Sequence, residues 1–287
     1  DWCGCPSGGR VGGRPAQWCV MVTDAVLWCE QLVKFYETAT GRVQAIRGID
    51  LEFGVGATAA IVGPSGSGKS SLLRMLAGLD QPTAGTVVLD GIDLWRLSER
   101  GRARARAEMI THVRQRPSDN LFGHLSAEMQ LARLAHTTES VDTWLHALGL
   151  DERRAVRPAQ MSGGERQRLA FARAAVAGHR LVIADEPTAQ LDSASAGAVL
   201  DAIDVLAGRG ITTIVATHDR RVLDRVGEVV ELRDGAISAI TTGGERLSVI
   251  DRSGRLQLPP ELRKRFPDGR ARLQWTGDSD DIRIERP

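Results

Sequence analysis

The nine residues 63–71 read GPSGSGKSS and surround Lys69 with glycine and serine. Lysine is rare in this chain, because only three of its 37 basic residues are lysines. The stretch satisfies the pattern G-x-x-x-x-G-K-[ST] with Gly63, Gly68, Lys69 and Ser70. Glycines let the backbone wind closely around an anion, and a compact ammonium group suits phosphate oxygens better than a planar guanidinium. We therefore predict a phosphate-binding loop at these residues, which we name the phosphate loop.

Two adjacent carboxylates, Asp185 and Glu186, end the apolar run LVIADE. Neighbouring side chains on a strand point to opposite faces. At the end of the strand, one carboxylate can therefore hold a metal ion through water while the other faces an attacking water molecule. We assign Asp185 to the metal ion and Glu186 to the general base.

A second anion site is predicted within residues 161–174, MSGGERQRLAFARA. Its Ser-Gly-Gly turn directly precedes a strongly helical segment, and the N-terminus of a helix attracts anions through its N–H groups and its dipole. We name residues 161–165 the signature segment. The chain thus has two predicted phosphate-binding positions.

Hydrophobic periodicity predicts the elements that must position these groups. Short apolar alternations at residues 26–35, 43–53 and 57–62, followed by the hairpin pattern GTVVLDGIDL, predict an antiparallel β layer. The third run leads through the phosphate loop into a helical pattern. LVIADE and TTIVATHD predict buried parallel strands, joined by a crossover helix at residues 193–208. This alternation predicts an α/β core.

Residues 96–160 are mostly helical in pattern and contain an arginine run, RLSERGRARARAE. Such a run can mark a nucleic-acid patch, but its alternation with Ala and Glu is more typical of a solvated helix face. The formal net charge of +1 gives no general basic surface. No apolar run approaches the roughly 18 to 20 residues that a membrane-spanning helix needs.

The two ends of the chain differ from its centre. Residues 1–20 are rich in Gly and Pro and lack an apolar period, so we interpret them as a disordered leader or a start-site artefact before Met21. Residues 245–287 follow a break in composition at TTGGE and predict two strand pairs around one helical turn opened by Pro. We expect a main domain at residues 21–240 and a small β-rich unit at 245–287.

Taken in order, the motifs of residues 26–240 resemble those of the ATP-binding subunits of ABC transporters. The phosphate loop matches the Walker A motif, and the signature segment matches the family signature. The other matches are a Q-loop at Gln115, a Walker B strand at 181–186, a D-loop at 189–192 and a switch histidine at His218. The resemblance implies a P-loop NTPase fold. Such a cassette has a RecA-like parallel-sheet core, an antiparallel β layer and a helical subdomain, here at about 96–160.

The resemblance also implies that the chain binds ATP and Mg²⁺ and hydrolyses ATP. Contacts with ATP are implied for Tyr36, Gly63, Pro64, Ser65, Gly66, Ser67, Gly68, Lys69, Ser70, Ser71, Gln115, Ser162, Gly163, Gly164 and Asp192. Catalytic roles are implied for Glu186, His218, Lys69 and Gln115, and Mg²⁺ contacts for Ser70, Gln115 and Asp185. Tyr36 would stack on adenine, although an aromatic residue in a first strand is also often plain core.

The family also implies partners. Two subunits pair head to tail, so each ATP would lie between the phosphate loop of one copy and the signature segment of the other. Asp192 would communicate across this dimer. An integral membrane permease would be a separate chain, and this chain would lie at the cytoplasmic face of the cell membrane. ADEPTAQLDS and SGGERQR look most like the lipoprotein-releasing and macrolide-exporter branch, although Met161 replaces a usual leucine and Ser71 a commoner threonine.

Two alternatives remain open. One is a cytosolic ABC ATPase that acts on DNA or ribosomes, although the segment between Lys69 and Ser162 is too short for the coiled coils of the DNA-repair forms. The other concerns the tail, where VIDRSGRLQLPPELRKRF resembles the swapped-hairpin fold of AbrB-type regulators, whose units dimerise and often bind DNA. Acidic residues in DSDD and ERP balance the basic residues of the tail, so we expect the tail to strengthen a homodimer. We expect no nucleic-acid partner for the chain, and DNA binding by the tail is the one possible exception.

Overall fold

A computed structural model describes residues 25–39, 41–135, 141–250, 254–258, 260–266, 271–275 and 282–285. The expected leader at residues 1–20 lies outside the described residues. Between the two ends, the described chain forms two stacked sheets with helices between them and on the outer face.

Three of the four runs predicted to form an antiparallel layer do so, whereas residues 57–62 instead form a strand of the second sheet, flanked by parallel strands on both sides. The first layer is a four-stranded antiparallel sheet. Its order is β2-β1-β4-β5. The strands are β1 (Ala25–Thr38), β2 (Gly41–Gly54), β4 (Ala84–Leu89) and β5 (Ile92–Asp93). β1 pairs with both β2 and β4, and its apolar side chains, including Leu27 and Leu32, are buried against the second layer.

A seven-stranded sheet forms the second layer in the order β11-β10-β9-β3-β8-β7-β6. Its five parallel strands are β3 (Thr58–Val62), β6 (Ile110–Val113), β7 (Leu181–Asp185), β8 (Thr212–Ala216) and β9 (Glu228–Arg233). Two antiparallel strands, β10 (Ala236–Thr242) and β11 (Glu245–Ser248), continue one edge. This sheet confirms the predicted α/β class.

Within the part of the chain that the structure describes, seven helices precede the tail: α1 (Lys69–Leu76), α2 (Glu99–Met109), α3 (Ala127–Ala132), α4 (Val141–Ala147), α5 (Gly163–Val176), α6 (Ser193–Gly208) and α7 (Arg220–Leu223). Short 3₁₀ turns occur at Pro117–Asn120, Asp151–Arg153 and Pro158–Gln160. Of the helices described, none combines the length and the apolar composition that crossing a bilayer requires.

Two hydrophobic cores lie on opposite faces of the large sheet. α1 contacts both β2 and β8 and lies in the first core, between the two sheets. α5 and α6 pack on the other face and form the second core. Because successive side chains of a strand alternate in direction, Leu181 and Ile183 of β7 join the first core while Val182 and Ala184 join the second. This two-sided burial explains why the strand is an unbroken apolar run.

The region 96–160 contains a strand that the helical pattern did not predict. β6 follows α2 directly and pairs in parallel with β7. Its four residues, ITHV, are too few to show a period of their own. Burial of Ile110 and Val113 on opposite sides of the sheet edge decides the conformation of this segment.

The predicted break at residues 241–245 is the turn of a β-hairpin. Gly243 and Gly244 have φ values of +60° and +83°, which suit a tight turn, and the hairpin joins β10 to β11. Residues 245–248 therefore belong to the large sheet. Beyond them the described residues contain an isolated bridge between Ile250 and Leu256, helix α8 (Pro260–Arg263), and the antiparallel pair β12 (Arg272–Trp275) and β13 (Ile282–Glu285). The first of the two predicted strand pairs is thus present only as the single bridge.

Candidate functional site

The carboxyl ends of four parallel strands bring the predicted site residues to one edge of the large sheet. Ile61 of β3 and Asp185 of β7 both lie opposite Ala216 of β8, while Val113 of β6 lies opposite Ala184. Open α/β sheets bind ligands at this edge. Asp185 is the last residue of β7, and the phosphate loop, Glu186, His218 and Gln115 each follow one of these strands.

The glycines of the phosphate loop are required for two different reasons, which are lack of space for a side chain and a left-handed backbone conformation. A Cβ at Gly63 would lie 2.1 Å from the carbonyl oxygen of Leu232, and one at Gly68 would lie 2.6 Å from that of Ala45. These two positions therefore allow only glycine. At Gly66, φ is +80° and no heavy atom lies within 4 Å of a built Cβ, so the backbone turn needs glycine while the space above it stays open.

The groups around the phosphate loop fit a polyphosphate. Lys69 Nζ donates hydrogen bonds to the carbonyl oxygens of Gly63 (2.7 Å) and Pro64 (3.0 Å), which fold the ammonium group back over the loop. The N-terminus of α1 has no side-chain cap and no acidic residue in its first turn. The hydroxyl of Ser67 is buried and has no hydrogen-bond partner. An anion would satisfy each of these donors.

Glu186 is held in an unusual backbone conformation beside His218. Its φ is +46°, a left-handed value that is uncommon for a residue other than glycine, and its N–H donates to the Ala216 carbonyl (2.8 Å). His218 Nδ1 lies 2.8 Å from Glu186 Oε1, and the Thr217 hydroxyl donates to Oε2 (3.1 Å). A carboxylate can only accept, so Nδ1 is the donor. The two contacts fix the carboxylate at the sheet edge.

Asp185 is suited to a cation. Burial raises the pKa of its half-buried carboxyl group, the charge of Glu186 raises it further, and Lys69 opposes both effects. A divalent cation would relieve the repulsion between the two carboxylates. Together with the Ser70 hydroxyl in the first turn of α1, Asp185 supplies oxygen ligands of the kind that Mg²⁺ prefers.

The signature segment is built around the start of α5. Ser162 Oγ accepts from the Glu165 N–H (3.2 Å), Glu165 Oε2 accepts from the Ser162 N–H (2.8 Å), and Arg153 Nε donates to Glu165 Oε1 (2.7 Å). A Cβ at Gly164 would lie 2.8 Å from Ser195 Cβ. Glycine is needed there because the start of α6 packs closely against the start of α5.

Asp192 has a local role in the structure. It is the N-cap of α6, where its carboxylate accepts hydrogen bonds from the Ser195 N–H (2.9 Å) and the Ser195 hydroxyl (2.7 Å). Ser195 closely approaches Gly164, so the start of α6, directly after the D-loop, packs against the signature segment. The proposed role of Asp192 between two copies remains a prediction.

Tyr36 lies next to the phosphate loop and is not a core residue. Its side chain is half-buried, and its hydroxyl donates to Asp80 Oδ2 (2.6 Å) and lies 3.2 Å from Ser71 Oγ. Gln115 is exposed two residues after β6. Stacking of Tyr36 on adenine and contact of Gln115 with Mg²⁺ remain predictions.

The sequence pattern missed several residues that hold the site. Thr217 and Asp219 flank His218, and Arg153 supports Glu165. The S-x-x-E pattern of the signature segment does predict a capping box, but nothing in the sequence pairs Glu165 with Arg153. Asp219 accepts hydrogen bonds from the Arg221 guanidinium and from the Thr188 hydroxyl (2.8 Å). The bond from Thr188 connects the loop that carries His218 to the residue just before the D-loop.

Replacement of Asp219 by Asn is expected to lower the free energy of unfolding by about 1–3 kcal/mol at pH 7, because Asp219 accepts charge-assisted hydrogen bonds. Hydrogen bonds from Arg221, opposed by burial and aided by Thr188, lower the pKa of Asp219 to about 2. A lowered pKa gives stability that is complete above the ordinary value near 3.8 and is lost as the pH falls through about 2.

The difference in the free energy of unfolding between wild type and Asp219→Asn should therefore narrow as the pH falls from about 4 to about 2. Urea unfolding followed by tryptophan fluorescence measures it. Asp201→Asn is the control, because Asp201 forms a solvent-exposed ion pair with Arg225, and such pairs contribute little. Equal stability of Asp219→Asn and wild type at pH 7 would contradict the assigned role of Asp219.

A phosphate loop between a strand and a helix, at the carboxyl edge of a parallel sheet that also carries paired carboxylates, defines a P-loop NTPase. The added antiparallel layer and the signature helix α5 narrow this class to the ATP-binding cassettes. The family model described as "ABC transporter" matches residues 46–189. The chain belongs to this family as an ATP-binding subunit that hydrolyses ATP.

Individual relatives agree with this assignment. The chain is 39% identical over 225 residues to the lipoprotein-releasing system ATP-binding protein LolD of Legionella pneumophila (strain Paris). The aligned region covers 76% of this chain and 99% of that relative. The dimeric cassette MJ0796 in a post-hydrolysis state bound to ADP and Pi is 30% identical, with a TM-score of 0.65 and coverage of 75% and 98%. CbiO1 of Clostridium perfringens, part of the ABC transporter complex cbiONQ, is 27% identical, with a TM-score of 0.67 and coverage of 76% and 89%.

The predicted fold, family and ATPase activity are thus confirmed. The similarity to LolD agrees with the predicted lipoprotein-releasing branch. The comparisons do not confirm the AbrB-like tail, which stays a prediction.

Proposed function

We propose that two copies of this ABC ATPase subunit pair head to tail and use ATP to drive a separate integral membrane permease. One observation carries the proposal, namely two separate helix starts with N–H groups that face no side-chain cap: all of those of α1, and those of Gly163 and Gly164 in α5, where the capping box uses only the N–H groups of Ser162 and Glu165. Gly63 lies against Leu232, whereas Gly164 lies against Ser195, so different parts of the chain back the two starts. In a symmetric head-to-tail dimer, the start of α1 in one copy and the start of α5 in the other copy can contact the same nucleotide from opposite sides. The dimeric state of MJ0796 supports this arrangement.

The nucleotide would be held mainly by its phosphates. Backbone N–H groups of residues 63–71 and the start of α1 would face the phosphate oxygens, and Lys69 Nζ would leave its two carbonyl partners for the β and γ phosphates. Ser70, Asp185 and Gln115 would hold Mg²⁺. When bound, Mg²⁺ neutralises charge on the transferring phosphoryl group.

Glu186 is the proposed general base. Each oxygen of its carboxylate already accepts one hydrogen bond, from His218 or Thr217, and retains a lone pair for the attacking water. Glu186 would take the proton of that water as its oxygen bonds to the γ-phosphorus and the bond to the β–γ bridging oxygen breaks, which gives ADP and phosphate. His218 would fix the direction of the carboxylate and contact the γ-phosphate.

The dimer is tested on the full chain carrying Glu186→Gln, by sedimentation velocity with and without Mg-ATP. We expect the fraction of dimer to rise when ATP is added, because slow hydrolysis preserves the closed state. Ser162→Arg in the same background should abolish this rise, since a large side chain would fill the partner's phosphate site. An unchanged sedimentation coefficient at saturating Mg-ATP, or a rise that Ser162→Arg does not affect, would contradict the proposed dimer.

The permease is proposed as the membrane partner, and its presence would hold the chain at the cytoplasmic face of the cell membrane, where ATP is available. Relatives described as part of a lipoprotein-releasing system and of an ABC transporter complex support this partner class. Affinity purification from detergent-solubilised native membranes tests it. A multi-spanning protein in stoichiometric amount is expected, and recovery of the chain alone from the aqueous fraction speaks against the proposal.

The sequence predicts that the tail begins at residue 245, but β11 belongs to the large sheet, so for the residues after β11 we propose an AbrB-like unit that strengthens the homodimer. Two large apolar side chains of this segment are strongly exposed in the single chain, with exposed fractions of 62% for Ile250 and 68% for Leu273. The two-stranded pair β12–β13 is small for an independent sheet, and contact with a second copy would bury its apolar surface. Leu273→Asp should then weaken any dimer that forms without nucleotide.

A further inference from the structure

A cluster of polar side chains joins β1 to the end of α1. Lys34 and Tyr36 are two residues apart on β1 and therefore share a face of the strand. Both reach the same carboxylate: Lys34 Nζ donates to Asp80 Oδ1 (2.5 Å), and the Tyr36 hydroxyl donates to Asp80 Oδ2 (2.6 Å). The side chains of Lys34 and Asp80 are only 12% and 16% exposed, so water competes little for these contacts.

Asp80 is tied to the helix that begins in the phosphate loop. Its N–H donates to the carbonyl oxygen of Arg74 in α1 (3.1 Å), and Lys34 Nζ also donates to the carbonyl oxygen of Gln81 (2.6 Å). The Tyr36 hydroxyl lies 3.2 Å from Ser71 Oγ, in the phosphate loop itself. The Tyr36 ring is therefore connected to the loop from two directions.

Charge and protonation favour this arrangement. Burial raises the pKa of Asp80, but the donors Lys34 and Tyr36 lower it more, so that the carboxyl group is ionised. Burial and the Asp80 hydrogen bond raise the pKa of Tyr36, so that the phenol keeps its proton and donates it. The Lys34 ammonium group also lies 4.9 Å from the centre of the Tyr36 ring, within the range of a cation–π contact.

We infer that Asp80 and Lys34 are positioning residues for the base of the nucleotide, because they hold the Tyr36 ring in a fixed place beside the phosphate loop. A ring that is already fixed loses little freedom when a base stacks on it, so more of the stacking energy appears as affinity. Asp80 and Lys34 thus act through Tyr36 on the adenine and not on the phosphates. This inference rests on the proposed role of Tyr36 in the nucleotide site.

The test separates the base from the phosphates. Dissociation constants of the full chain for Mg-ATP and for inorganic tripolyphosphate, which lacks a base, are measured by calorimetry, with competition where binding is weak. Asp80→Asn and Lys34→Met are each expected to weaken ATP binding by about 3- to 10-fold and to leave tripolyphosphate binding unchanged. Arg74→Met is the matched control, because Arg74 is 57% exposed and only 3.9 Å from Asp80, and its loss should change neither constant by more than about 2-fold.

A second readout does not depend on affinity. Tyr36 is the only tyrosine of the chain, so ¹³C-labelled tyrosine gives a single ring signal in the NMR spectrum. In the nucleotide-free chain, Asp80→Asn is expected to shift or broaden this signal, whereas Arg74→Met is not. Normal tripolyphosphate binding by Asp80→Asn shows that the variant is folded.

The outcomes distinguish this inference from the proposed site. Tyr36→Ala is measured beside the other variants. If Tyr36→Ala weakens ATP binding while Asp80→Asn and Lys34→Met do not, Tyr36 keeps its role and the positioning inference is wrong. Equal losses for ATP and tripolyphosphate in Asp80→Asn would show that Asp80 supports the phosphate loop, which also overturns it. If Tyr36→Ala leaves ATP binding unchanged, the proposed adenine contact itself is wrong.

Discussion

Glu186→Gln is expected to lower the rate of ATP hydrolysis by about 100- to 10,000-fold, the usual contribution of a general base, and to leave Mg-ATP binding in place. Glutamine keeps the size of the side chain and can still accept a hydrogen bond from Thr217 or His218. It has no basic oxygen to receive the proton of the attacking water. The loss should therefore fall on kcat, with little change in the dissociation constant for ATP.

Phosphate release under saturating Mg-ATP measures the rate, and equilibrium binding of ATP measures the affinity. Glu108→Gln is the control, since Glu108 is an exposed carboxylate of α2 that pairs with Arg104 and should not affect hydrolysis. Hydrolysis by Glu186→Gln at the wild-type rate would show that another group takes the proton.

Lys69→Met is expected to weaken ATP binding by about 10- to 100-fold, the range for losing hydrogen bonds to a charged group. The methionine side chain keeps the apolar length but has no ammonium group for the phosphates. It also loses the hydrogen bonds to the carbonyl oxygens of Gly63 and Pro64 that hold the side chain over the loop in the nucleotide-free chain. Lys69→Arg should not restore binding, because a planar guanidinium is too wide for a loop built around a compact charge.

The same calorimetric titrations measure this effect. Tripolyphosphate binding should weaken in parallel with ATP binding, in contrast to the Tyr36 variants, because Lys69 acts on phosphate alone. Lys264→Met is the control, since Lys264 is an exposed lysine of the tail. An ATP affinity of Lys69→Met within 2-fold of wild type would refute the phosphate role of Lys69.

Features encoded by neighbouring residues could be predicted from the sequence. The phosphate loop, the start of α5 and the crossover helix at 193–208 depend on local glycines, caps and apolar spacing, and the structure has α6 at Ser193–Gly208. The buried strands β7 and β8 are visible as unbroken apolar runs because both of their faces are covered.

Features that depend on contacts between distant residues could not be predicted in this way. β6 is a strand because β7 lies beside it, and its four residues carry no periodic signal. The need for glycine at position 63 comes from the carbonyl group of Leu232, and the position of Tyr36 comes from Asp80. The pairing of Arg153 with Glu165 likewise appears only when α5 has packed beside the 3₁₀ turn at Asp151–Arg153.

The most direct test of the account is a crystal structure of the full chain carrying Glu186→Gln, grown with ATP and Mg²⁺. The account predicts two copies around two nucleotides, with each γ-phosphate within hydrogen-bond distance of Lys69 Nζ from one copy and of Ser162 from the other, and with Asp185 facing the metal ion. A nucleotide bound by one copy alone, or bound away from residues 63–71, would contradict it.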